Sequence, residues 1–215
     1  MSIYFIRHGL DDEGYRGGWS QRGLILEGFR QSEQLSSYFK ENQASLQISR
    51  IISSDLQRAL DTANEIAREL NLPVEHSVGW RETNNGVIAG LPHEIANERY
   101  PGLYFSALRM DERFPGGESP NEFFMRISKA FAELCHSLES GHPLENVIVV
   151  THSGVINVIY HLLKGITWTN QGAKFPVSYT SIHKIEYQRD RWEVAAEDLT
   201  EHILGLRTGV NMEQK

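Results

Sequence analysis

The chain has 215 residues, 40% of them hydrophobic and 23% charged, with 21 Lys plus Arg against 28 Asp plus Glu for a net charge of −7. That composition supports a sizeable core and argues against a general nucleic-acid binder or a polybasic membrane surface. A single cysteine, Cys135, excludes an internal disulfide framework and a multi-cysteine zinc site, as expected for a reducing cytoplasm. No apolar run approaches the ~18 residues of a membrane span. The chain enters Ile3-Tyr4-Phe5-Ile6 after two residues, without a signal core. A cytoplasmic, soluble protein is expected.

In chain order, residues 3–6 predict a short buried strand, and residues 27–39 a helix. A second strand covers residues 50–53 around Ile51-Ile52. It leads into a helix whose apolar face is Leu56, Ala59, Leu60, Ala63, Ile66, Ala67 and Leu70. Ser53, Ser54 or Asp55 is the expected cap of that helix, and Asn71 before Leu72-Pro73 its end. Residues 82–118, rich in Gly, Pro and aromatics, read as irregular. Ser119-Pro120-Asn121-Glu122 then announces a helix with a capping box, whose buried stripe is Phe123, Phe124, Ile127, Ala130, Phe131, Leu134 and Leu138. Residues 146–151 form a third strand and residues 155–163 another helix. Residues 181–187 and 191–196 suggest a terminal hairpin, and the tail from Thr200 onward is expected to fray. No repeat or linker divides the chain, so residues 1–215 are expected to form one α/β domain.

The residues just past each strand carry chemistry. Arg7-His8-Gly9 ends the first, Ser53-Ser54 with Arg58 the second, and Thr151-His152-Ser153-Gly154 the third. Parallel neighbours in an open sheet share the edge where their carboxyl ends lie, and ligands bind there. Two arginines and two histidines therefore gather into an anion pocket. Arg58 lies off the apolar stripe, near a helix N-terminus with free N–H groups suited to phosphate, and Thr62 shares its face. Paired guanidiniums offer planar forks for phosphoryl oxygens. A neutral imidazole is a competent nucleophile toward phosphorus. Glu82, in Arg81-Glu82-Thr83-Asn84, is the carboxylate best placed by sequence to protonate a leaving alcohol.

Together with Pro115-Gly116-Gly117-Glu118-Ser119, these segments resemble the histidine phosphatase superfamily, the phosphoglycerate-mutase-like family, in its branch of mutases and small-molecule phosphatases. The resemblance runs in order across about residues 3–165. It implies a three-layer α/β/α fold with a mixed, mostly parallel sheet. It makes His8 a phosphohistidine nucleophile, Arg7 and Arg58 the grip on the phosphoryl group, and His152 the completion of the pocket. Glu82 becomes the acid toward the leaving group and then the base for water. The implied partner is a small phosphomonoester, with no metal or organic cofactor; the oligomeric state is left open.

The chain departs from that pattern in places. Leu10-Asp11-Asp12-Glu13-Gly14 stands where the family often has Glu-Thr and then an Asn, so Gly14 removes one phosphate donor. Asp11, Asp12 and Glu13 read as a solvated loop. The His-Tyr-Gly run of phosphoglycerate mutases is missing after Glu82, which favours hydrolysis over phosphoryl return. A mutase and a phosphate-binding protein without turnover stay open beside the phosphatase. Substrate selectivity is assigned to Arg16 and to residues 83–114, with Tyr100 and Tyr104 as contacts. The nine histidines show no metal-ligand spacing, Cys135 reads as helix packing, and no P-loop or dinucleotide fingerprint occurs.

Overall fold

The computed structural model describes residues 1–140 and 146–203. Six strands form one sheet: β1 (Ser2–Arg7), β2 (Ile48–Ser54), β3 (Val74–Ser77), β4 (Asn146–Thr151), β5 (Ile182–Gln188) and β6 (Arg191–Leu199). Their order across the sheet is β3-β2-β4-β1-β5-β6. The β1–β4, β2–β4 and β2–β3 pairs are parallel, and β5 and β6 extend the sheet antiparallel. The sheet is thus mixed and mostly parallel, as the sequence implied. The helices are α1 (Leu26–Glu41), α2 (Gln43–Leu46), α3 (Gln57–Leu70), α4 (His93–Arg99), α5 (Pro120–Ser140) and α6 (Ser153–Lys164).

The apolar runs of β1 and β4 are continuous because both faces of the sheet are covered. Ile3, Phe5, Val147 and Val149 pack with Phe123, Ile127, Val155 and Ile159 of α5 and α6. The alternate residues Tyr4, Ile6, Ile148 and Val150 pack with Leu35, Phe39, Ala63 and Ile66 of α1 and α3. One residue of slip in either strand would exchange these two cores, so the register is strongly specified.

Local chemistry sets the helix ends. At α5, Glu122 N–H donates to Ser119 Oγ while Ser119 N–H donates to the Glu122 carboxylate, the reciprocal box expected from the sequence. Asn71 ends α3 in the left-handed conformation. The start of α3 differs from expectation: its N-cap is Leu56, and no side chain caps it. The three expected caps are engaged elsewhere. Ser53 Oγ donates to the Ser54 carbonyl, Ser54 Oγ meets His152, and Asp55 holds Arg81.

Two further expectations are corrected. Residues 82–118 are not wholly irregular, since they hold α4 and two 3-10 turns, Gly86–Ile88 and Phe105–Ala107. The tail does not fray at Thr200. Glu201–Ile203 form a turn, Ile203 is buried, and His202 Nε2 lies 3.2 Å from Thr180 Oγ1; the rest of the tail lies outside the described residues. No helix among the described residues is long and apolar enough to cross a membrane.

Candidate active site

β2, β4 and β1 are parallel neighbours, so Ser54, His152 and His8 arrive at one sheet edge from positions far apart in sequence. The His8 N–H donates to the Thr151 carbonyl, locking the two strand ends together. The rings of His8 and His152 lie 5.1 Å apart between centroids. Arg58, on the first turn of α3, donates its Nε–H to His8 Nε2 at 3.1 Å. The face that carries Arg58 and Thr62 is buried rather than solvated: Arg58 is only 2% exposed and Thr62 not at all.

Hydrogen bonding settles which His8 nitrogen carries the proton. Nδ1 lies 2.8 Å from the Gly9 carbonyl, which can only accept, so Nδ1 carries the proton. Nε2 then holds the lone pair and accepts from Arg58. Burial, followed by the charges of Arg58 and Arg7, holds the His8 pKa well below its ordinary value. The same causes depress His152, whose Nε2 meets Ser54 Oγ at 2.8 Å. Both rings are neutral near pH 7.

Backbone carbonyls hold both guanidiniums. Arg58 donates through Nη1 and Nη2 to the carbonyls of Ser20 and Gly18. Arg7 donates to the Val177 carbonyl and stacks 3.5 Å above the Tyr179 ring, while its Nε stays buried without a partner. His152 Nδ1 is likewise buried and unpartnered. Orphaned buried polar atoms of this kind beside cationic side chains are chemically suited to an anion.

Asp11 enters the same site. Its carboxylate lies 3.5 Å from Arg58 Nε and its side chain is 19% exposed, so it is not part of a solvated loop as the acid run suggested. Asp12 pairs with Arg22, and Glu13 accepts from the Tyr179 hydroxyl. Gly14 spends its carbonyl on His93 N–H.

Glu82 faces the start of α6. Its two oxygens accept the N–H groups of Thr83 and Gly154, each at 3.0 Å. A Cβ on Gly154 would come within 2.3 Å of the carboxylate, so only glycine permits this approach. Sequence reasoning missed what holds Glu82 in place. Arg126 of α5 donates to the carbonyls of Gly79, Arg81 and Glu82 and forms a two-pronged ion pair with Glu118. Trp19 Nε1–H also donates to the Glu82 carbonyl. The one signal for Arg126 was a charge directly beside Ile127 in the buried stripe. Val177 and Tyr179 sit in a loop with no periodicity and gave none.

A cavity of about 560 Å³ adjoins these groups; its wall includes Gly18, Glu82, Gly154 and Val177. Phe105, Trp168 and Phe175 line its apolar side, and Arg16, Tyr104 and Lys174 also face it. Tyr100 does not. It packs with Ile88, Ala96, Leu108 and Phe114 in a small separate core. Cys135 lies in the main core, where burial pushes its thiol up to about 12.

The family model described as "Histidine phosphatase superfamily (branch 1)" matches residues 3–199. A chain of Salmonella choleraesuis (strain SC-B67) named "Probable phosphoglycerate mutase GpmB" is 28% identical over 198 residues, covering 89% of this chain and 87% of that one. Among solved structures, the mycobacterial glucosyl-3-phosphoglycerate phosphatase has a TM-score of 0.73 at 25% identity, over 92% of this chain and 98% of the other. The alpha-ribazole phosphatase of Shigella flexneri has a TM-score of 0.76 over 93% and 97%; at 18% identity it speaks to the fold alone.

Proposed function

The chain belongs to the histidine phosphatase superfamily, and from that premise we propose that it hydrolyses a small phosphomonoester through a phosphohistidine on His8. The observation that carries the reading is the state of the His8 ring: neutral, protonated at Nδ1 by its bond to Gly9, with the Nε2 lone pair accepting from Arg58.

In the first step His8 Nε2 attacks phosphorus in line and the bond to the ester oxygen breaks, Glu82 giving its proton to that oxygen. In the second, Glu82 takes a proton from water, the water oxygen bonds to phosphorus, and the P–N bond breaks to return neutral His8. Arg7, Arg58 and His152 hold the equatorial oxygens as charge shifts across them. Positioning and charge stabilisation supply most of the acceleration, as in phosphoryl transfer generally. The buried guanidiniums are already anchored on backbone carbonyls, so little reorganisation is needed at the moment of reaction. The reaction needs no cofactor, and with one cysteine the chain suits a reducing cytoplasm.

A panel of phosphorylated metabolites tests the reading by liberated inorganic phosphate, together with rapid quench for base-stable, acid-labile phosphate on the protein. Release from at least one ester, with label on the wild-type chain and none on His8→Ala, is expected. Isomerisation of 3-phosphoglycerate without release would assign a mutase. Phosphate binding with neither label nor release would assign a binding protein.

A further inference from the structure

Three acids follow one another at Asp11, Asp12 and Glu13, and each is drawn to a different partner. Asp12 pairs with the exposed Arg22, and Glu13 accepts from Tyr179. Asp11 reaches a cation of the His8 pocket: its carboxylate lies 3.5 Å from the Arg58 Nε whose N–H goes to His8 Nε2. One N–H is therefore faced by two acceptors, a neutral lone pair and a full negative charge.

Both partners are held in place. Asp11 bridges Leu24 in an antiparallel pair, Ile25 N–H donates to the Leu10 carbonyl, and Leu10 N–H donates to Gln31 of α1. The backbone under Asp11 is thus tied to the start of α1. Arg58 turns Nη1 and Nη2 onto the carbonyls of Ser20 and Gly18, which leaves Nε as the edge toward His8. Burial pushes the Arg58 pKa down, and Asp11 is the strongest charge opposing that push. Arg58 therefore has a resident counter-anion. Arg7 is held differently, by the Val177 carbonyl and the Tyr179 ring, both neutral.

A phosphoryl group at His8 sharpens this competition. Once phosphorus bonds Nε2 the lone pair is gone, and the Arg58 Nε–H has two anionic acceptors in reach, a phosphoryl oxygen and Asp11. Free phosphate meets the same rival. Two anions against one buried guanidinium repel each other with little screening.

We propose that Asp11 sets how weakly the site holds phosphate: its carboxylate competes with the phosphoryl oxygens for Arg58, so inorganic phosphate leaves readily instead of accumulating on the protein. This rests on the phosphomonoesterase reading and deepens it, by naming a residue that governs product release. Asp11 acts through Arg58 and takes no part in bond making.

Calorimetric titration with inorganic phosphate tests this without turnover. Asp11→Asn and Asp11→Ala should each tighten phosphate by about tenfold or more, the scale of one like-charge contact removed. Asparagine keeps the shape of aspartate but adds a possible hydrogen bond, and alanine adds none, so a gain in both assigns the effect to the lost charge. Asp12→Asn removes the same charge one residue on and should change affinity by about twofold or less, because its pair with Arg22 is exposed. A loss of affinity is what mere structural damage would produce. Unchanged or weaker binding in the Asp11 variants overturns the proposal, as does equal tightening by Asp12→Asn. Tighter phosphate in a chain that never releases phosphate from an ester strikes the hydrolase reading and leaves the rivalry standing. No phosphate binding by wild type or by either Asp11 variant overturns both.

Discussion

His8 and His183 are both buried, and both sit where β1 meets a neighbour; they differ in what their ring nitrogens meet. His183 lies opposite Phe5 in the β1–β5 register. Its Nδ1 accepts from the Tyr160 hydroxyl and from Asp198 N–H, so its proton is on Nε2, facing Ser181 Oγ. Every polar site on that ring is used. His8 instead keeps a lone pair at Nε2 that meets only a guanidinium, in a place where Arg7 and His152 leave further atoms unpaired. Burial alone therefore does not set the role of a histidine. His8 differs in that its Nε2 lone pair meets a cation which is itself anchored on backbone carbonyls.

The comparison is broken most sharply by exchanging the two losses. His8→Ala should cost turnover on the order of 10⁴-fold or more while leaving the melting temperature near that of wild type. His183→Ala should keep kcat within about twofold, but lose roughly 2–4 kcal/mol of stability by emptying a packed site and stranding the Tyr160 hydroxyl. Urea titrations and phosphate release on both variants check this. A His183 variant that is stable but inactive would reverse the assignment.

Glu82→Gln should slow alkyl phosphates by roughly 10² to 10⁴-fold and an activated aryl phosphate much less, because only the poor leaving group needs a proton. Equal losses on both substrates would remove Glu82 as the acid. Arg126→Met should lower kcat on alkyl phosphates more than it raises KM, since it holds the Glu82 backbone and not the phosphoryl group. Lowered kcat on the aryl phosphate to the same extent would point to a general structural loss instead.

Acid should act on stability alone. His183 and His202 titrate at about 4 in the folded chain, depressed by burial, against 6.5 for a free ring. The unfolded chain takes up these protons first, so the contribution of these two rings to stability falls as pH drops from 6.5 toward 4 and levels below that. Each ring accounts for up to about 3 kcal/mol across that window. His8 and His152 are depressed by burial and by Arg58, and act in the same direction. Denaturation midpoints at pH 7, 5.5 and 4.5 read the slope, and His183→Ala should flatten it. A midpoint constant over that range would contradict the buried neutral rings.

Much of the fold was legible because its signals are local. The apolar runs of β1, β2 and β4 announced strands covered on both faces, and the Ser119–Glu122 box placed the start of α5 within its own four residues. The short strand β3 and helix α4 carry too few apolar residues to show a period. Misreadings arose where one side chain had two uses. Ser54 and Asp55 look like helix caps, yet His152 and Arg81 claim them. Asp11 looks like a surface acid, yet a buried guanidinium draws it inward. Tyr100 and Tyr104 are indistinguishable in sequence, and packing alone sent one to a core and the other to the cavity.

The residues at three strand ends, and hence the kind of ligand they suit, were decided by the sequence itself, because a parallel sheet must bring those ends to one edge. The tautomer of His8, the clamp of Arg126 on the Glu82 segment and the stacking of Arg7 on Tyr179 were decided only by tertiary structure. Each depends on hydrogen bonds and ring contacts between segments far apart in the chain. Such contacts have direction and distance but no period, and a linear pattern cannot encode them.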